Sequence, residues 1–363
     1  MTEKISKPGI YVHIPFCDRI CSYCAFAKVF YREDLADRYL NRLEKELHKY
    51  DGCSFRSVYI GGGTPSSLTP AQLERLFSIL SFYAEEQARW TVEINPEIEE
   101  EKIRIFSLHG VARVSMGVQT FQKRLLSIIG REHSFDQVKE RVDLLHRYDI
   151  KDINVDLMYG LPDESEEELK RDLSLLLSLD VTHVSAYCLQ VEEKTVLFNR
   201  GCREEDPDVA RRQYEMIVDT LKDHGLFRYE VSNFSKPGFE SEHNLIYWNN
   251  EEYGGVGLNA SAYIDHIRRT NTKSLTEYLK GNFDDYEEIL TEEDEEFYFL
   301  MLGFRKEEGI SLREFEQRFH KNFLASYGDK IADADGFEIS EGRCRLKEEN
   351  IYILDFFLRK ILF

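Results

Sequence analysis

The stretch "HIPFCDRICSYCAF", His13–Phe26, decides how the rest of the chain is read. It holds Cys17, Cys21 and Cys24, three of 7 cysteines in 363 residues, at C-x3-C-x2-C spacing. Three neighbouring thiols can staple a fold, hold a metal or carry out chemistry. The odd total, with Cys53, Cys188, Cys202 and Cys344 scattered, is no disulfide framework. Zinc is the main rival among metals, but a structural zinc site asks for four ligands, commonly as paired C-x2-C units. No second pair is present. Three thiolates on one loop can instead wrap a [4Fe–4S] cluster and leave one iron open to an outside chelator.

Outward from this loop the chain alternates. Between Ile10 and about Leu189 the apolar runs "IYVHI", "SVYIGG", "WTVEIN", "ARVSMGVQ", "DINVDLM" and "HVSAYCL" are separated by amphipathic helix patterns. Thr69 and Ser165 stand where N-caps belong. Strand–helix units in series imply a parallel sheet with right-handed crossovers. Six are too few for a closed eight-stranded barrel. The expected fold is therefore α/β, a partial (β/α)6 barrel over residues 1–200. Residues 201–285 read as a helix near Pro207–His224 followed by an irregular, Gly- and aromatic-rich extension. Residues 286–363 read as a smaller α+β region, helices plus a hairpin-like "FEISEGRCRLKEEN", winged-helix-like in outline.

The net charge is −20, a poor match for nonspecific nucleic acid or an anionic membrane. The wing is accordingly read as a packing or partner surface. "MTEKISKPGI" lacks the apolar core of a signal peptide, and no run approaches the ~20 apolar residues that span a bilayer. With these cysteines, a cytoplasmic protein is expected.

Polar residues gather where the strands end, the reactive rim of parallel α/β barrels. The cysteines follow the first strand and "GGGTP", Gly61–Pro65, ends the second. Glu93 closes the third, Gln119 the fourth, and Asp156 lies inside the fifth. A carboxylate in an apolar strand needs donors or a cation. Glu93 and Asp156 thus face either an internal arginine or a positively charged ligand. Arg131, in "GREH", could meet such a carboxylate or a ligand's. "GGGTP" is neither a P-loop nor G-x-G-x-x-G; it is a tight turn or a close backbone approach to a ligand.

At these residues the chain resembles a known family. "CDRICSYC" is the radical S-adenosylmethionine (SAM) signature, and "GGGTP" resembles its glycine motif. "YVHIPFC", "YIGGGTPS", "MGVQTF", "GREH" and "DLMYGLP" are similar to the oxygen-independent coproporphyrinogen oxidase group. The resemblance implies that Cys17, Cys21 and Cys24 hold a [4Fe–4S] cluster whose open iron chelates SAM. It also implies reductive cleavage of SAM to methionine and a 5′-deoxyadenosyl radical. Tyr11, Tyr23, Gly62, Gly63, Thr64, Glu93, Gln119, Arg131 and Asp156 match the family's SAM contacts.

Within the group, porphyrinogen decarboxylases carry a further cysteine where this chain has Phe26, and a longer segment than the sixteen residues before Cys17. The chain is instead similar to the HemW-type heme chaperones, whose H-N-x-x-Y-W motif stands here as His243, Asn244, Tyr247 and Trp248. Taken by itself that motif reads equally as a core aromatic cluster around a hydrogen-bonded histidine. Ser261 in "GLNASAY" replaces the group's usual histidine. The resemblance implies a protein that binds heme, delivers it to a respiratory acceptor, and lacks coproporphyrinogen oxidase activity. It further implies a reduced flavodoxin- or ferredoxin-like electron donor and allows a homodimer. The alternative is a radical enzyme acting on a porphyrin, either an oxygen-independent coproporphyrinogen III oxidase or a heme-degrading methyltransferase.

Overall fold

The structure, a computed structural model, describes residues 8–363. The reading of the first residues as lacking a leader falls largely on residues 1–7, outside the described residues. Six parallel strands form the centre: β1 (Gly9–Ile14), β2 (Phe55–Gly62), β3 (Ala84–Ile94), β4 (Val111–Gln119), β5 (Asp152–Tyr159) and β6 (His183–Cys188), hydrogen-bonded in that order. Between them run α1 (Glu33–Leu47), α2 (Pro70–Ser81), α3 (Glu100–Leu108), α4 (Lys123–Ile129), α5 (Phe135–Arg147) and α6 (Glu166–Leu177). Thr69 and Ser165 do cap α2 and α6. Each accepts from the backbone N–H three residues on, while Gln72 and Glu168 reach back in reciprocal capping boxes. The helices bury one stripe each, such as Leu73, Leu76, Phe77 and Leu80 of α2, against apolar strand residues such as Val58, Ile60 and Val92. Each such side chain contributes about 1.5–3 kcal/mol on burial.

The region read as irregular after residue 225 is partly sheet. β7 (Phe227–Arg228) and β8 (Asn233–Ser235) extend the β6 edge antiparallel. β9 (Tyr253–Val256) adds parallel to β1, and β10 (Ser261–Ile264), β11 (Ile267–Asn271) and β12 (Asp284–Ile289) continue outward. The result is one twelve-stranded sheet, whose central strands turn one face onto a common cavity. Short glycine-broken strands hide this from sequence pattern, because alternation over four residues is weak. Ser261 lies in β10, exposed, its hydroxyl bonded to Thr270 at 3.0 Å. α7 (Pro207–Asp223) and α8 (Glu242–Trp248) flank the additions.

From Glu292 onward four helices, Glu292–Gly303, Leu312–Phe319, Phe323–Ala334 and Leu354–Leu362, pack with a three-stranded antiparallel sheet of Ile310–Ser311, Phe337–Ser340 and Arg343–Leu346. This winged arrangement has its own core of Phe299, Phe304, Phe315, Phe319, Phe323 and Phe337. Gly309 is required at its turn: φ is +65°, and a Cβ would lie 2.1 Å from the Cys344 carbonyl oxygen. The unit docks on the barrel through Val231 N–H to Arg305 O (3.0 Å) and Glu307 N–H to Tyr229 O (2.9 Å). Among the described residues no helix is long and apolar enough to cross a membrane.

Candidate functional site

One cavity of about 1030 Å³ opens at the carboxyl ends of the central strands. That is the upper end of small-molecule sites, room for more than one ligand. Its lining brings together Cys17, Cys21, Cys24, Tyr23, Gly62, Gly63, Thr64, Glu93, Gln119, Arg131 and Asp156. These come from the loop after β1, the carboxyl-terminal parts of β2 to β5 and, for Arg131, the turn after α4, so the convergence is a product of topology.

The three thiols sit on one wall. Burial pushes the Cys17 thiol up to about 11 and raises Cys24 as well, so any group bound through these sulfurs would have to displace protons. Thr64 Oγ1 lies 3.7 Å from Cys17 Sγ, and Asn95 Nδ2 holds Thr64 at 3.2 Å. Among the described residues no three His, Cys, Asp or Glu side chains are gathered tightly enough for a single metal ion. Thiolates sharing one zinc at ~2.3 Å stand within about 4 Å of each other. Phe26, 67% exposed, stands in the same cavity wall.

The glycine run is a close-approach surface. A Cβ on Gly61 would lie 2.7 Å from the Glu93 carboxylate, and one on Gly62, at φ +115°, 2.5 Å from the His13 ring. Glu93 thereby reaches the Gly62 N–H (2.9 Å) while accepting from the Tyr59 hydroxyl (2.9 Å). Burial, opposed by the Gly62 bond and reinforced by Asp156, holds its carboxyl up at about 7. Asp156 accepts from Asn154 Nδ2 (2.7 Å) and Ser115 Oγ (3.4 Å), and burial raises it too. Among the described residues neither carboxylate has an arginine at ion-pair distance, though Arg131 and Arg113 act on Asp156 from further off. Arg113, the buried arginine nearby, is spent on Asp152 at 2.7 Å. Two half-buried carboxyl groups on one cavity, with no direct ion pair on either and Arg131 acting on Asp156 only from further off, leave a place for a positively charged ligand.

Arg131 donates to Gly117 O (2.6 Å) and Asn95 Oδ1 (2.7 Å), while its Nε is buried with no partner. That orphan donor suits a ligand carboxylate. A zwitterion with an additional positive charge, as in SAM, therefore meets complementary groups. Tyr11 stands apart from the other SAM candidates: its hydroxyl bonds His13 Nδ1 at 3.0 Å, its ring lies 6.0 Å from Tyr59, and it is not in the cavity wall.

The H-N-x-x-Y-W residues divide. Asn244 lines the cavity. His243 is 2% exposed, with Nδ1 on Ser57 Oγ at 2.9 Å and Nε2 on the Tyr247 hydroxyl at 2.8 Å. Burial, then the Arg56 charge, lowers it to about 3, so the ring is neutral with both nitrogens engaged. Trp248 lies under Arg305, 6.0 Å from ring centre to guanidinium. The core aromatic cluster is thus the arrangement present. Sequence reading missed Tyr59 and Asn154, though each stands two residues from a candidate on the same strand face. It also missed the far wall, Ile351–Asp355, which reaches the cavity only by chain folding.

Residues 11–176 match the Radical SAM superfamily, and 290–353 match the HemN C-terminal domain. The chain is 39% identical to the heme chaperone HemW of Lactococcus lactis over 91% of this chain and 90% of that one. It belongs to the HemW family. Identity to the heme chaperone HemW of Bacillus subtilis is 37%, over 89% of this chain and 90% of that protein. For the Escherichia coli protein of that name it is 31%, with 86% of each covered. Among solved structures, coproporphyrinogen III oxidase (HemN) from Escherichia coli, a radical SAM enzyme, superposes with a TM-score of 0.87 over 99% of this chain and 91% of that one. At 22% identity this likeness speaks to the fold alone.

Proposed function

We propose that this chain is a heme chaperone of the radical SAM type, which binds heme and delivers it to a respiratory acceptor protein. The observation that carries the reading is similarity along nine-tenths of both chains to proteins named heme chaperone HemW. Cys17, Cys21 and Cys24 would hold a [4Fe–4S] cluster; with SAM bound, that group supplies one-electron reductive chemistry. Gly62, Gly63 and Thr64 offer SAM an open backbone edge, Glu93 and Asp156 receive its cationic and hydroxyl groups, and Arg131 Nε its carboxylate. Tyr23 and Gln119 close the same wall, and Tyr11 supports it through His13. The surrounding barrel keeps the site dry. An electron would come from a reduced flavodoxin- or ferredoxin-like protein.

Heme would enter the same wide cavity, where Asn244 is the member of the motif that a ligand can reach. Phe26 in place of a further cysteine separates the chain from porphyrinogen decarboxylases. Anaerobic reconstitution with iron and sulfide, followed by metal analysis, heme titration and incubation with coproporphyrinogen, SAM and reductant, tests the reading. The expected result is four irons per chain, saturable heme binding and no vinyl product. Zinc at the cysteines, or vinyl product, would overturn it.

A further inference from the structure

The H-N-x-x-Y-W helix touches both carboxylates proposed for SAM, through two separate chains of contacts. On one side, His243 bonds β2 at Ser57 and lies against the Tyr59 ring, centroids 5.1 Å apart. Tyr59 in turn donates its hydroxyl to Glu93 at 2.9 Å. Gly9 permits this seat: a Cβ there would lie 3.2 Å from the His243 ring and 2.7 Å from Ile246. Tyr247 fixes the other face of the imidazole by its bond to Nε2.

On the other side, Ser241, the N-cap of α8, gives its backbone N–H to the Tyr229 hydroxyl at 3.1 Å. Tyr229 meets His183 Nε2 at 2.9 Å, and His183 Nδ1 meets Asn154 Oδ1 at 2.6 Å. Asn154 Nδ2 then donates to Asp156 at 2.7 Å. The donor order is the same throughout. Because Tyr229 accepts from Ser241, its proton goes to His183 Nε2; Nδ1–H then donates to the Asn154 oxygen, which turns the amide nitrogen toward Asp156. Burial keeps His183 neutral, as this order requires. Fully satisfied buried networks of this kind hold one geometry.

We infer that the H-N-x-x-Y-W helix orients Glu93 and Asp156 for SAM, which rests on the SAM reading above, and that His243 is a positioning residue rather than an iron ligand. The motif then belongs to the SAM side of the cavity, acting through Tyr59 and Asn154. A ligand that displaces α8 through Asn244 would disturb both carboxylates together.

The test uses the reconstituted, cluster-loaded protein under anaerobic conditions. SAM affinity is read from the change SAM makes in the electron paramagnetic resonance spectrum of the reduced cluster, and heme affinity from the Soret band. Tyr59→Phe keeps the ring against His243 and deletes only the hydroxyl. It is expected to weaken SAM about tenfold, the scale of one hydrogen bond to a charged group, with iron content and heme affinity unchanged. His243→Ala is expected to weaken SAM at least as much and leave the Soret position where it was. If His243→Ala fails to fold, Tyr59→Phe and Tyr247→Phe carry the test. Normal SAM affinity in Tyr59→Phe, or loss of the heme band in a folded His243→Ala with SAM unaffected, would overturn the inference. A wild type whose cluster spectrum never responds to SAM would instead remove the SAM reading itself.

Discussion

Glu93 offers a stability test independent of any cofactor. Its carboxyl is held at about 7 in the fold against an ordinary 4.5, burial being the main cause. An acid raised on folding binds its proton more tightly in the folded chain. Its contribution is therefore complete below the unfolded value and is lost as pH climbs toward the folded one. At about 1.4 kcal/mol per decade the full loss is about 3 kcal/mol, of which about 2.5 kcal/mol falls between pH 5 and pH 8. Glu93→Gln cannot ionise and escapes this loss. It gives up one of the two bonds from Tyr59 and Gly62 at every pH, a constant cost of about 1–2 kcal/mol. Relative to wild type, the variant is expected to be slightly less stable at pH 5 and more stable by about 2 kcal/mol at pH 8. Urea unfolding of the metal-free protein, followed by tryptophan fluorescence under reducing conditions, measures the difference. The quantity to watch is its change with pH, not its absolute value. A wild-type-minus-variant difference that stays flat across this range would refute the claim that Glu93 is ionised at a cost. The same variant is expected to bind SAM more weakly, so at pH 8 stability and binding move in opposite directions.

Three further outcomes are expected. Gly61→Ala places a methyl 2.7 Å from the Glu93 carboxylate; overpacking of about 1–3 kcal/mol is expected to lower SAM affinity tenfold or more, by titration, while cluster content is kept. Asp152→Ala strips the buried Arg113 of its 2.7 Å partner and Arg89 of its 2.5 Å one; a loss of about 3–5 kcal/mol is expected in urea unfolding. Serine at any one of Cys17, Cys21 or Cys24 is expected to lose most bound iron and the cluster's visible absorbance, whereas Cys53→Ser or Cys188→Ser retains both.

The strand–helix alternation could be read along the chain because each parallel strand needs a crossover, and the crossover helices carry amphipathic patterns, capped at Thr69, Ser134 and Ser165. The cysteine spacing, the glycine run and the two misplaced carboxylates were legible for a related reason. Each breaks a local rule of composition where a strand ends. β9 to β12 were not legible, since strands of four to six residues rich in Gly, Asn and charge have little pattern of their own. They exist because the open edge of β1 pairs with Tyr253–Val256.

His243 marks the boundary between the two kinds of information. Its motif is plain in the sequence, and the sequence leaves it either a ligand or a core histidine. Only the fold brings Ser57, Tyr59 and Tyr247 around one ring and occupies both of its nitrogens. Likewise the sequence by itself determined which residues can carry charge or bind iron, because those are properties of side chains. Which of them face one cavity, and which hold the others in place, was decided by contacts between residues far apart in the chain. Short-range patterns do not encode such contacts.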